Sequence, residues 1–349
     1  MIDLKSMDLA ELTEYFVAQG YPRFRAEQVF SWIHRGATSF DEMSNLSKDL
    51  REKLKETASL TYAKCLAKQV SKRDGTIKFL WQMPDGNAVE SVFMEYRHGN
   101  TVCISTQVGC RMGCSFCAST IGGKIRDLSA GEMLEQVLRA QCDTGKKVSN
   151  IVLMGTGEPL DNYENVRKFL SLVNHPKGLG IGMRHISLST CGLCDGIRKL
   201  AQEDLQITLS ISLHAPDNET RDRLMPVNRK YPVEELIAAC KEYYAKTSRR
   251  ISFEYTMIHG VSDTLETAHK LAALLKGFPC HVNLIPLHPV EGKELSPSSP
   301  TEIAKFSKIL EQSGLTVTVR RSLGEDIDAA CGQLRSKTEQ ALRQRGDLT

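Results

Sequence analysis

Cys110-Arg-Met-Gly-Cys114-Ser-Phe-Cys117 is the stretch on which the reading of this chain turns. Its thiols follow the spacing C-x3-C-x2-C. Zinc normally takes four ligands, often as two C-x2-C pairs, and no matching second pair is evident. Three thiolates on one tight loop suit three corners of a 4Fe–4S cluster, with the fourth iron left open to chelate a substrate.

Working outward, the loop follows a predicted strand at residues 102–106. Further strands are expected at 150–154, 185–189, 206–214, 251–257, 281–285 and 315–320. Helices are expected between them, near 161–174, 233–247, 263–276 and 300–313. One helix starts at the capping box Ser129-Ala-Gly-Glu132. Strands alternating with helices demand a parallel sheet, open or closed. Seven such units close only a partial barrel, which leaves a side opening wide enough for a large substrate. Ligands of such barrels bind at the C-terminal strand ends. Cys110, Glu158, Ser189, His214, His288 and Cys331 all fall at or after such ends.

Before the barrel the pattern changes twice. Leu9, Leu12 and Phe16, then Ala26, Val29, Phe30 and Ile33, recur at helical spacing, and Ser47 caps a third helix. The bases Arg23, Arg25, His34 and Arg35 surround the second helix, as a solvated face or a phosphate contact. Period two then takes over. Asp74-Gly75 and Asp85-Gly86 are hairpin signals, with a weaker one at His98-Gly99-Asn100. Ile77, Phe79, Trp81 and Met83 alternate onto one face. The division expected is a helical unit at 1–60, an antiparallel β extension at 61–98, a core barrel at 99–335 and a tail at 336–349.

The composition is compatible with this. There are 349 residues, a formal charge of +3, 41% hydrophobic and 25% charged residues. That excludes a disordered chain, a collagen and a coiled-coil rod. No run approaches the ~18 apolar residues of a membrane span. The opening MIDLKSMDLAELTEYF carries acids where a signal peptide needs bases, so the expected location is cytoplasmic. Eleven cysteines in such a chain point to metal or redox chemistry rather than disulfides. Isolated Cys65, Cys142, Cys240 and Cys280 read as small buried hydrophobes. Cys191-Gly-Leu-Cys194 reads as a buried or incidental pair, and His185, His259 and His281 as loop or core histidines.

The cysteine triplet resembles the cluster motif of the radical S-adenosylmethionine (SAM) superfamily. Gly155-Thr-Gly157-Glu158-Pro-Leu160, just past the second barrel strand, looks like its SAM-binding Gly-Glu motif. Leu188-Ser189-Thr190, Ser212-Leu213-His214-Ala215-Pro216, Leu224-Met225-Pro226-Val227-Asn228 and the stretch from Gly324 through Asp326, Asp328 and Cys331 to Leu334 resemble one subfamily, the RlmN/Cfr group of adenosine methylases. The resemblance runs over nearly the whole chain. It implies an α/β fold, a partial (β/α)6 radical SAM barrel with an N-terminal helical domain and a small antiparallel β extension.

It also implies a chemistry. Carbon 2 of adenine is electron-poor and the SAM methyl is electrophilic, so direct transfer is mismatched in polarity. The family routes the methyl through a cysteine, with two SAM per turnover. By motif match, Cys331 carries the methyl and Cys103 resolves the protein–RNA adduct by a transient disulfide. Glu90 matches the proton acceptor. It shares strand phase with Val92, Met94 and Tyr96, where burial would raise its pKa toward a useful base; the opposite phase, Val89 and Phe93, stays open. Gly157, Glu158, Ser189, Ser212, Leu213, His214 and His288 carry over as SAM contacts, His288 standing where relatives typically have Asn. Cys110, Cys114 and Cys117 carry over as cluster ligands. The implied partners are 23S rRNA and tRNA, reached through bases such as Arg23, Arg25, Arg35, Lys124, Arg126, Arg229 and Lys230, and a low-potential electron donor such as flavodoxin or ferredoxin. A monomer is expected. Pro159 favours the carbon-2 branch over the carbon-8 branch, which tends to have Ala there. The reading of another class is a non-catalytic, metal-stabilised RNA-binding protein.

Overall fold

The computed structural model describes residues 1–290 and 292–329. After a short strand, Ile2–Asp3, which pairs in parallel with Ala58–Ser59, come three helices, α1 (Leu9–Ala18), α2 (Phe24–His34) and α3 (Lys48–Thr57). Asp8 and Glu11 close a capping box on α1, and the Ser47 hydroxyl accepts the Leu50 amide on α3. Leu12, Phe16, Val29, Phe30, Ile33, Leu50 and Leu54 are buried together in a core that continues into the barrel. Each such side chain contributes roughly 1.5–3 kcal/mol. His34 does not join the basic face expected around α2. It is buried, its ring nitrogens against the carbonyls of Phe30 and Leu172, and burial lowers its pKa.

Among the described residues, ten strands make one mixed sheet whose spatial order is the order of the chain. The first three are antiparallel: β1 (Lys64–Val70), β2 (Ile77–Gln82) and β3 (Ala88–Tyr96). β4 (Gly99–Cys103) pairs antiparallel with β3 and parallel with β5 (Val148–Leu153). β6 (Ile186–Thr190), β7 (Thr208–Ser212), β8 (Ile251–Met257), β9 (Cys280–Pro286) and β10 (Thr316–Val319) then add in parallel. The crossovers carry α4 (Ala130–Thr144), α5 (Tyr163–Asn174), α6 (Cys194–Leu200), the pair α7 (Asn218–Leu224) and α8 (Val233–Thr247), α9 (Leu265–Leu275) and α10 (Pro300–Gln312). Six crossovers between seven parallel strands give the partial barrel. Among the described residues no strand pairing joins β1 to β10.

The extension is therefore part of the barrel sheet. Its turns fall at the Asp-Gly pairs. Phe79, Trp81 and Met83 are buried as the alternation requires, but so are Lys78 and Leu80. Leu80 packs with Leu66 and Ala67 of β1. Lys78 is covered by the chain returning after β10, where its ammonium donates to the Asp328 carbonyl at 3.2 Å. Ser71 donates to Asp326 at 2.7 Å, the Lys72 amide to the same carboxylate at 3.0 Å, and the Gly324 amide to Asp74 at 2.9 Å. Side-chain bonds thus fasten the segment after β10 to the β1–β2 turn.

Candidate active site

The cysteine loop leaves a short ribbon, in which Gln107–Gly109 pairs antiparallel with Lys124–Asp127. The Ser115 amide donates to the Leu224 carbonyl at 2.9 Å, and the Thr120 hydroxyl to that of Cys117 at 2.9 Å. Cys114 packs against Ala215, Leu224, Met225, Ile258 and Leu287. The Leu224–Asn228 stretch is thus the wall behind the loop. Cys110 and Cys114 are buried, Cys117 half-buried, and all three line one cavity at the C-terminal strand ends. Burial pushes the Cys110 thiol up to about 12, and that of Cys114 in the same direction.

That donor set fits an iron–sulfur cluster. Crowded, buried thiols stay protonated alone and become thiolates when a metal takes them. Behind them lies Arg221, fully buried, with no carboxylate within ion-pair distance among the described residues. It donates to the carbonyls of Leu213 (3.1 Å), Cys191 (2.6 Å) and Ser212 (3.2 Å) and to Asn228 (3.0 Å). Burial lowers its pKa, and thiolates at Cys191 and Cys114 would raise it. Thiolates at the cluster loop would thus offset its buried charge. Sequence reasoning missed Arg221, because its acceptors come from three separate turns.

The predicted SAM contacts separate into two groups. Gly157, Glu158, Ser189, Ser212, His214 and His288 line the cavity. Gly157 has φ 112°, and a Cβ there would come within 2.7 Å of Gln107, so only glycine fits. Glu158 is 3% exposed. Its carboxylate accepts the amides of Leu160 at 3.0 Å and Cys191 at 2.7 Å, and burial raises its pKa against those bonds. It locks two cavity turns together. His214 accepts on Nδ1 from the Thr256 amide and faces the Thr256 hydroxyl, both at 3.0 Å. Burial first, then Arg221, holds its pKa at about 3, so the ring is neutral with its proton on Nε2. Leu213 is not brought to the cavity. Its side chain is fully buried in the main core and its carbonyl serves Arg221.

A second chamber adjoins the first. Cys103, Val92, Met94 and Ala329 line it, and it shares Met154, Pro286, His288 and Arg320 with the cysteine cavity. Cys103 lies directly across from Val92 in the β3–β4 register. Val92 and Met94 cluster with Cys103, while Val89 and Phe93 face the main core. Glu90 is therefore on the chamber phase of β3. It is 3% exposed, and its carboxylate lies 3.6 Å from the Lys78 ammonium. His288 hydrogen-bonds Ser322 at 3.0 Å at the boundary, its pKa lowered by burial. Cys331 lies outside the described residues.

Other expectations are corrected. Cys240 and Cys280 are buried, but Cys65, on the edge strand β1, and Cys142, in the last turn of α4, are exposed. Cys191 and Cys194 are both buried and not disulfide-bonded, as expected, and Cys191 also lines the cavity. Lys124 pairs with Asp127 and Asp161, and Arg126 with Asp85 and, through two bonds of 2.8 Å, Glu132. These two bases are consumed inside the protein. Arg23, Arg35, Arg229 and Lys230 stay exposed. Among the described residues no helix is long and apolar enough to cross a membrane.

Comparison with known proteins agrees with this geometry. A family model described as "Radical SAM superfamily" matches residues 104–272, and one described as "Ribosomal RNA large subunit methyltransferase N-terminal domain" matches residues 2–60. The crystal structure of a radical SAM methyltransferase from Sphaerobacter thermophilus superposes with a TM-score of 0.92 at 45% identity, covering 97% of this chain and 100% of that one. A partial barrel with a three-cysteine loop after its first parallel strand is the architecture of the radical SAM superfamily. A protein of Thermoanaerobacter sp. (strain X514) described as "Probable dual-specificity RNA methyltransferase RlmN" is 53% identical over 97% of this chain and 98% of its own length. One from Clostridium tetani (strain Massachusetts / E88), described likewise, is 52% identical over 97% of each. Within the superfamily, the chain belongs to the RlmN family.

Proposed function

We propose that the chain methylates carbon 2 of one adenosine in 23S rRNA, at the peptidyl transferase centre, and of one adenosine in tRNA, beside the anticodon. The observation that carries this is the pair of joined chambers. One holds three cysteines of cluster spacing. The other holds Cys103, with Ala329 packed against it two residues before Cys331 in sequence.

Cys110, Cys114 and Cys117 hold the 4Fe–4S cluster, and Gly157, Glu158, Ser189, Ser212, His214 and His288 contact SAM. When bound, cluster and SAM together would supply the radical chemistry and the methyl group. Cys331 carries the methyl carbon to the adenine. Glu90, on the chamber phase of β3, accepts the ring proton. Cys103 attacks the Cys331 sulfur and frees the RNA, and reduction of the resulting disulfide restores both thiols. The apolar walls of Val92 and Met94 keep water from reactive carbon. The base must leave its stack to enter. Residues 1–60 and the exposed bases Arg23, Arg35, Arg229 and Lys230 meet the RNA backbone. The enzyme works as a cytoplasmic monomer fed by flavodoxin or ferredoxin.

The test is anaerobic reaction of reconstituted protein with SAM, reductant and either protein-free 23S rRNA or tRNA, followed by nucleoside mass spectrometry. 2-Methyladenosine is expected from both RNAs. 8-Methyladenosine would overturn the branch assignment that rests on Pro159. Cys331→Ala is expected to bind RNA and transfer nothing; any turnover by it sinks the cysteine route. Cys103→Ala should accumulate RNA covalently bound to protein, visible as a shifted band on a denaturing gel.

A further inference from the structure

The turn after β8 carries a second cluster of ligating side chains, outside both chambers. His259 Nδ1 lies 3.2 Å from Glu302 Oε1 and 3.6 Å from Asp263 Oδ2. One ligand atom from each residue lies within 4.8 Å of the others. Asp263 decides the matter. Its side chain is 4% exposed. Oδ1 accepts the Gly260 amide at 2.8 Å, while Oδ2 is buried with no hydrogen-bond partner. An unsatisfied buried acceptor is costly, and a charged one more so. Glu302 Oε2 accepts the Ser299 amide in the capping box of α10, which leaves Oε1 on the His259 side. At metal–ligand bonds of about 2.1 Å, neighbouring ligands on one cation stand about 3.0–3.5 Å apart. The His259 contacts are close to that spacing.

We infer that His259, Asp263 and Glu302 bind one divalent cation of the zinc class, with water completing the shell. Imidazole disfavours magnesium and calcium, and the two carboxylates disfavour soft copper(I). The exposed imidazole gives the ion an entry path, and the ion supplies the partner that Asp263 Oδ2 lacks. The site is also a clip. Ile258 bridges Pro297, and the His259 amide donates to the Ser296 carbonyl at 2.9 Å. A cation here ties the β8–α9 turn to the start of α10.

The experiment uses cluster-loaded protein, so that iron already occupies the loop cysteines. Wild type, His259→Ala, Asp263→Asn and Glu302→Gln are equilibrated with micromolar Zn2+, desalted, and assayed for zinc and iron together. One zinc per chain is expected in wild type, with uptake weakened roughly tenfold or more in each variant and iron unchanged. Zinc should raise the Tm of wild type and not that of His259→Ala, a variant at an exposed position that leaves folding intact. Equal zinc uptake by wild type and His259→Ala would overturn the site. So would no uptake by wild type.

Discussion

His214 has a left-handed backbone, φ 56°, and a ring held neutral by burial with its pKa at about 3. Between that value and the ordinary imidazole value near 6.5, the unfolded chain takes up a proton that the folded chain refuses. Its contribution to stability is therefore complete above about pH 6.5. It is lost as pH falls, by about 1.4 kcal/mol per pH unit, levelling off only near pH 3. His34 and His288 lean the same way. His214→Asn keeps an acceptor, suits the left-handed backbone, and is expected to flatten this acid slope relative to wild type in urea titrations at stepped pH. Arg221→Met strips donors from three buried carbonyls. We expect a loss of about 2–4 kcal/mol and lower iron content after reconstitution. Arg221 also marks the limit of sequence reading. Cys110, Cys114 and Cys117 were legible because metal-ligand spacing is local. Arg221 was not, since nothing within a few positions of it announces the carbonyls of Cys191, Ser212 and Leu213. A strand end turns alternate side chains to opposite faces, so the side chains of Ser212 and His214 reach the cavity while that of Leu213 enters the core.

The ribbon under the cysteine loop depends on one close approach. Gly109 has φ 73°, and a Cβ there would overlap the Gly123 carbonyl oxygen. Gly109→Ala combines backbone strain with overpacking, each costing about 1–3 kcal/mol. The expected result is an earlier urea midpoint and reduced iron loading. The segment after β10 depends on Asp326, which takes Ser71 and the Lys72 amide. Asp326→Ala should speed limited proteolysis near the C-terminus and slow methylation of Cys331 while iron loading stays normal. Loss of iron with it would mean that the segment supports the barrel instead. Element positions were legible wherever periodicity was strong, as in α8, which spans Val233–Thr247 as expected. The short helices α6 and α7 have too few turns to show a period. Burial was less legible than pairing. Cys65 and Cys280 both sit on strands, yet only the edge position of β1 leaves Cys65 in water.

Across the whole molecule, the N-terminal unit is joined to the barrel through a fully buried ion pair. The Lys5 ammonium donates to Glu135 of α4 at 2.6 Å, both side chains at 0% exposure. Burial lowers the Lys5 pKa against the pull of Glu135. Arg139 flanks the same carboxylate at 3.0 Å. Glu135→Gln strands the ammonium and should cost about 3–5 kcal/mol in denaturant unfolding, whereas the double change Lys5→Met with Glu135→Leu should cost far less. If the single variant is as stable as wild type, the pair is not what joins the two units. The barrel itself was legible in the sequence because alternating strands and helices permit few topologies. This joint was not, because its partners lie 130 residues apart. Ser6 and Asp3 add to it at the first turn of α4, where the Ser6 hydroxyl accepts the Gly131 amide at 3.0 Å and donates to Asp3 at 2.7 Å. Such a joint has no slack. Anything gripped by α1 to α3 is held at a set distance from the cysteine loop, as between the jaws of a fixed gauge. A molecule that touched both would have to supply the bending itself.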